Sequence, residues 1–136
     1  GTQAVTEAIG WAAAVGYLSH LGMERVAAHE HELTVRLLAG LQEVQGVRIL
    51  GPTEADRRLG AVAFDLAGVH PHDVGQFLDA QGIAVRVGHH CAQPIHRALG
   101  VNASTRASLG LYNTAGEIDQ LLEAVSQVRS YFKVSP

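Results

Sequence analysis

Disulfide bonding within this chain is excluded, because only one of its 136 residues, Cys91, is a cysteine. A disulfide-stapled secreted scaffold therefore does not fit, and a reducing cytoplasm is the simplest compartment. A structural zinc site lacks ligands as well, since no second Cys pair and no H-x3-H follows Cys91. Lysine is as scarce as cysteine: Lys133 stands alone among ten basic residues. With 13 acidic residues the net charge is -3, which argues against a large nucleic-acid footprint. Long apolar runs are missing too. The longest, near Ile9–Tyr17, is too short and too rich in alanine and glycine to span a bilayer, and no basic residues precede it as in a signal peptide.

What is present describes one globular domain, with 47% hydrophobic and 17% charged residues. There is no internal repeat, low-complexity tract or linker. Residues Gln3–Leu21 read as an alanine-rich helix with Val5, Ile9, Ala12, Ala13 and Tyr17 at helical steps, closed by Gly22. A second helix is expected over Met23–Val44, with Leu33, Leu37, Leu38, Leu41 and Val44 as its buried stripe. His29 and His31 fall on its solvated side and carry no assigned role. Val47–Leu50 and Ala61–Leu66 read as strands, the second alternating Val62, Phe64 and Leu66 with small or polar residues. Pro71 opens a helix to about Gln81 that Gly82 closes.

Ile83, Val85 and Val87 alternate with Ala84 and Arg86 as a strand leading into a loop, and a helical turn over Ile95–Leu99 follows Pro94. Thr105–Leu111 reads as the last strand, with Ala107, Leu109 and Leu111 on one face and Arg106, Ser108 and Gly110 on the other. Thr114-Ala115-Gly116-Glu117 is a capping box for a final helix to about Phe132. The architecture implied is a two-layer α/β (α+β) domain: two long N-terminal helices, then a β-β-α-β-β-α unit whose helices cover a small mixed or antiparallel sheet.

The chemistry concentrates in Arg86-Val87-Gly88-His89-His90-Cys91-Ala92-Gln93-Pro94. On local chemistry Cys91 has two main readings. It is either a small buried hydrophobe or a reactive thiol presented on a loop, with metal ligation a distant third. Guanidinium or imidazolium charge nearby favours the thiolate and so the reactive reading. His70-Pro71-His72-Asp73 reads as a helix N-terminus with exposed histidines.

The pattern R-x-G-H-H-C-A-x-P over Arg86–Pro94, the strand Arg106-Ala107-Ser108 and the helix start Tyr112-Asn113-Thr114, in this order, resemble the C-terminal domain of SUF-type (group II) cysteine desulfurases. These are fold-type I, pyridoxal-phosphate enzymes of the class V aminotransferase superfamily. The likeness extends over nearly all of the chain. Gly1-Thr2 resembles the end of the family's F-E-A-G-T segment, so residues 1–136 would be the small C-terminal domain and the large cofactor-binding domain would lie upstream.

The resemblance implies conversion of L-cysteine to L-alanine, with the sulfur held as a persulfide on Cys91 for iron–sulfur cluster assembly. Arg106 matches the arginine that clamps the substrate carboxylate, as a planar guanidinium fork suits. Arg86 matches a second active-site arginine, placed for either the Cys91 thiolate or the carboxylate. Gly88 would allow close approach or a positive φ. His89 and His90 match the family's paired histidines; either they tune the thiol and relay a proton, or they are structural loop contacts. Gly1 and Thr2 match the pair that reaches the cofactor phosphate of the neighbouring subunit in a homodimer. His72 matches a histidine that docks a zinc-containing sulfur acceptor in some relatives, becoming a ligand only in that complex; no resident metal is expected.

The chain departs from the pattern in one large respect. Pyridoxal 5'-phosphate chemistry needs a Schiff-base lysine, a stacking aromatic residue and an aspartate on the pyridine nitrogen, and those motifs are missing. Lys133, at the end of the last helix, is no substitute, so the chain alone is expected to be inactive. Two alternatives stand beside the desulfurase reading: a selenocysteine lyase on the same scaffold, and a free-standing sulfur-carrier or interaction domain.

Overall fold

The alternation in Ala61–Leu66 builds the centre of the molecule. In the computed structural model, which describes residues 1–134, this segment is a strand whose Val62, Phe64 and Leu66 are buried while Ala61, Ala63 and Asp65 point the other way. Numbered in chain order, the strands are β1 (Val47–Leu50), β2 (Ala61–Leu66), β3 (Arg86–Gly88) and β4 (Ser104–Ser108). They form one sheet in the order β1-β2-β4-β3, antiparallel at every step. The sheet is thus purely antiparallel and contains no parallel pair.

Five α-helices accompany it among the described residues: α1 (Val5–Leu21), α2 (Met23–Glu43), α3 (Pro71–Asp79), α4 (Gln93–Ala98) and α5 (Ala115–Tyr131). The leucine stripe of α2, the Val74 and Leu78 side of α3 and the Ile118, Leu121, Val125 and Val128 side of α5 close over one face of the sheet. Fully burying a side chain such as Phe64 stabilises by about 1.5–3 kcal/mol. Glycine at 40 permits the close approach of α2 to α5, because a Cβ there would run into the side chain of Leu122. The same helix pair is tied outside by two 2.7 Å bonds from Arg36 to the Asp119 carboxylate. The capping box of α5 forms as expected: Thr114 Oγ1 accepts from the Glu117 N–H at 3.3 Å, and Glu117 Oε2 accepts from the Thr114 N–H at 2.7 Å.

Several boundaries differ from the sequence expectation. Residues 83–85 are not strand, because the chain leaving α3 first turns back on its carbonyls, with Ile83 N–H donating to Leu78 O at 3.0 Å. β4 stops at Ser108: Gly110 N–H is taken by the Asn113 side chain at 2.9 Å, which folds 110–113 into a turn and leaves Leu111 outside the strand. α4 begins earlier, at Gln93. His29 is not merely solvated, since its Nε2 meets Asn113 O at 2.9 Å and ties α2 to that turn. α1 buries none of its residues, and Ile9 and Trp11 are 67% and 74% exposed. Among the described residues, no helix is long and apolar enough to cross a membrane.

Candidate active site

β4 alternates, and its alternation sorts two jobs. Thr105 and Ala107 face the helical core, whereas Ser104, Arg106 and Ser108 leave from the opposite face. Register places Arg86 of β3 directly across from Arg106, so two guanidinium groups rise from neighbouring positions on one face. Like charges so placed destabilise a sheet, and neither arginine has an acidic partner among the described ion pairs. Arg106 is steered by its own strand, its Nε donating to Ser108 Oγ at 3.0 Å.

The segment after β3 swings over this face. Gly88 has φ 111°, a conformation that other residues rarely adopt, and the next turn holds His90 and Cys91 at φ 52° and 60°. Ala92 N–H closes the turn on His89 O at 2.8 Å. The result is an exposed free thiol whose sulfur lies 4.0 Å from Nη2 of Arg86. That disposes of the reading of Cys91 as a small buried hydrophobe.

Behind the thiol sits a group that sequence reasoning missed. Ser104 is fully buried, and its hydroxyl meets His90 Nε2 and His96 Nε2, each at 2.9 Å. His96, on α4, is 5% exposed and reaches Ala92 O through Nδ1 at 3.0 Å. His89 is exposed, with its ring edge-on to His96 at 5.7 Å. His90 is held toward its neutral form by burial first, then by the positive charge of Arg106, by His96 and by Arg86. Its Nδ1 is buried without a hydrogen-bond partner. The only sequence hint of this cluster was the spacing of His96 behind Ala92, one helical turn on.

Arg86, Gly88, His89, His90, Cys91 and Arg106 are thus brought together, whereas none of the other candidate residues shares a hydrogen bond or ion pair with that cluster among the described residues. His72 is exposed at the start of α3, 3.7 Å from Asp73, where the His70 side chain accepts its backbone N–H at 3.2 Å. Gly1 and Thr2 are exposed ahead of α1. Lys133 follows α5, which packs on the helical side of the sheet. Among the described residues no group of three or more His, Cys, Asp or Glu side chains is placed to hold a metal ion.

The family model for class-V aminotransferases matches residues 1–121. The chain belongs to this family. It is 52% identical over 132 residues to a probable cysteine desulfurase of Streptomyces coelicolor, covering 97% of this chain and 32% of that protein. Among solved structures it is similar to the apo cysteine desulfurase of Thermococcus onnurineus NA1, with TM-score 0.92, 38% identity, and coverage of 96% of this chain and 32% of that one. The cysteine desulfurase CsdA of Escherichia coli, solved as an S-sulfonic acid, follows at TM-score 0.86 and 32% identity over 96% of this chain and 32% of that one. This class-V aminotransferase chain therefore spans about a third of the length of the relatives it matches.

Proposed function

We propose that this chain is the sulfur-accepting C-terminal domain of a cysteine desulfurase, supplying the thiol and the carboxylate clamp to a centre completed by another part of the protein. The observation that carries the reading is the exposed Cys91 sulfur, 4.0 Å from Arg86, with Arg106 standing in register across from Arg86 and having no acidic partner among the described ion pairs. Two guanidiniums without an acidic partner among the described ion pairs suit an amino-acid carboxylate, and Arg106 would grip it while Arg86 stands beside the Cys91 sulfur.

Pyridoxal phosphate, when bound, supplies the sink for the electron pair left on carbon as the C–S bond breaks. The residues here fit the substrate side of that chemistry. The Schiff-base lysine has no counterpart beside Cys91 and would come from elsewhere in the protein. In the same reading Gly1 and Thr2 would hold the cofactor phosphate of a neighbouring subunit in a homodimer. The Cys91 thiolate attacks the substrate sulfur: a new S–S bond forms, the C–S bond breaks, and carbon takes up a proton. The balance is Cys91 thiol plus cysteine giving Cys91 persulfide plus alanine. The exposed loop then offers the persulfide to an acceptor protein of the SUF type, which the exposed His72 would help dock. A free thiol in this role suits a reducing cytoplasm.

The test uses the intact protein with pyridoxal phosphate and L-cysteine, reading alanine release and the mass of the Cys91 peptide. The wild type should gain one sulfur on Cys91, and Cys91→Ser should lose persulfide transfer while keeping the visible absorption of the bound cofactor. Undiminished sulfur transfer by Cys91→Ser would sink the reading.

A further inference from the structure

The buried hydroxyl of Ser104 has one proton to give, yet it is shared by two imidazoles, and this fixes the direction of every bond in the cluster. Ala92 O can only accept, so Nδ1 of His96 carries a proton. In neutral His96 the other nitrogen, Nε2, is then an acceptor, and the Ser104 hydroxyl must donate to it. Ser104 oxygen is left to accept from Nε2–H of His90. The reverse order would need both ring nitrogens of His96 to donate at once, and a neutral imidazole has only one N–H. The chain therefore runs from His90 through Ser104 and His96 to Ala92 O.

Its two ends are the residues on either side of Cys91. The thiol is exposed, but the backbone that carries it is anchored before and after by one hydroxyl on β4, a strand that also carries Arg106. The turn needs such anchoring. His90 and Cys91 are non-glycine residues at φ 52° and 60°, a conformation that persists only where the surroundings over-determine it.

We propose that Ser104 and His96 are positioning residues for Cys91, holding the left-handed turn that keeps its sulfur beside Arg86. This rests on the reading of Cys91 as the sulfur acceptor. It differs from a general structural role in what it predicts: the chemistry of the thiol and its coupling to Arg86 should change in protein that is still folded.

The experiment compares Ser104→Ala and His96→Gln with wild type in the intact, cofactor-loaded protein. Steady-state turnover of L-cysteine is read alongside the rate at which iodoacetamide labels the Cys91 peptide. The glutamine is included because it keeps an acceptor for Ser104 while giving up Ala92 O, and it supplies the answer if the alanine variant fails to fold. Both variants should lose on the order of tenfold in kcat with the KM for cysteine within about twofold, because geometry is lost and the clamp is kept. Arg86→Ala should slow labelling of wild type, and should slow it much less in either variant, since the sulfur is no longer held at the guanidinium. Wild-type kcat and full Arg86 coupling in the folded variants would overturn the proposal. Sulfur transfer surviving Cys91→Ser would remove the underlying reading instead, so the two failures are told apart.

Discussion

On its helical face the sheet presents Val62, Phe64, Leu66 and Ala107, all at most 4% exposed. On its other face the sheet presents Arg48, Asp65, Arg86 and Arg106, with Ser104 sealed beneath the Cys91 loop. The first face follows the burial rule: apolar side chains, closely packed, with no charge. The second breaks a rule, since Arg86 and Arg106 oppose one another without an acid between them. Both faces are written into one strand, β4, and a register slip of one residue would exchange packing for chemistry. If the proposed function holds, packing and chemistry are thus specified by alternate residues of a single segment, and they should separate cleanly on mutation.

The largest expected effects test that separation directly. Phe64→Ala, on the packed face, should cost about 3–5 kcal/mol, read by denaturant unfolding. Arg106→Ala, on the opposite face of the sheet from that core, should change stability by no more than about 0.5 kcal/mol while lowering kcat/KM for cysteine on the order of 10²-fold. Comparable destabilisation by the two would show that the faces are not independent. A smaller effect sharpens the packed side. Glycine-to-alanine changes inside helices ordinarily stabilise by about 0.5–1 kcal/mol, and Gly16 in α1 faces open space. Gly40 faces Leu122, and overpacking there should cancel or reverse the gain, because inserted carbons cost about 1–3 kcal/mol. Equal shifts in thermal midpoint for the two variants would mean that α2 and α5 are less closely packed than they stand here.

The packed face was the legible one. Its signals are periodic: the leucines of α2, the alternation of β2 and the capping box at Thr114 each reveal an element from adjacent residues. The open face was legible in its parts, Cys91, Arg86 and Arg106, through motif resemblance and strand alternation. Its assembly was not. Nothing in a local window says that α4 folds back across the sheet, or that a serine in β4 and a histidine in α4 will share a proton. These are contacts between elements, decided by the path of the loop. α1 was misleading for the opposite reason. Its apolar spacing is helical and the helix forms, but periodicity does not say what a helix packs against, and here no residue of it is buried.

The smallest predicted effect distinguishes the faces by pH. His90 lies over the open face, its ring backed by Ser104 and faced by Arg106, His96 and Arg86, and it is held below the ordinary imidazole value by burial first and then by those neighbours. Below about pH 6.5 the unfolded chain takes up a proton that the folded chain resists. The unfolded state then binds more protons, so stability falls as pH falls through that window and is fully present above it. The thermal midpoint of the wild type should drop between pH 7.5 and 5.5, and His90→Gln, which retains an N–H for Ser104, should flatten the slope. Glu117 and Asp119 do not confuse the measurement. The first is held below the carboxylate range by the Thr114 N–H and the second by Arg36, so both titrate at lower pH. Salt then separates the causes. At about 1 M ionic strength the arginine contributions are screened while burial is not, so a slope that shrinks only in part assigns the larger share to burial. A slope that vanishes would give the effect to Arg106 and Arg86 alone, and one unchanged by His90→Gln would take His90 out of the account.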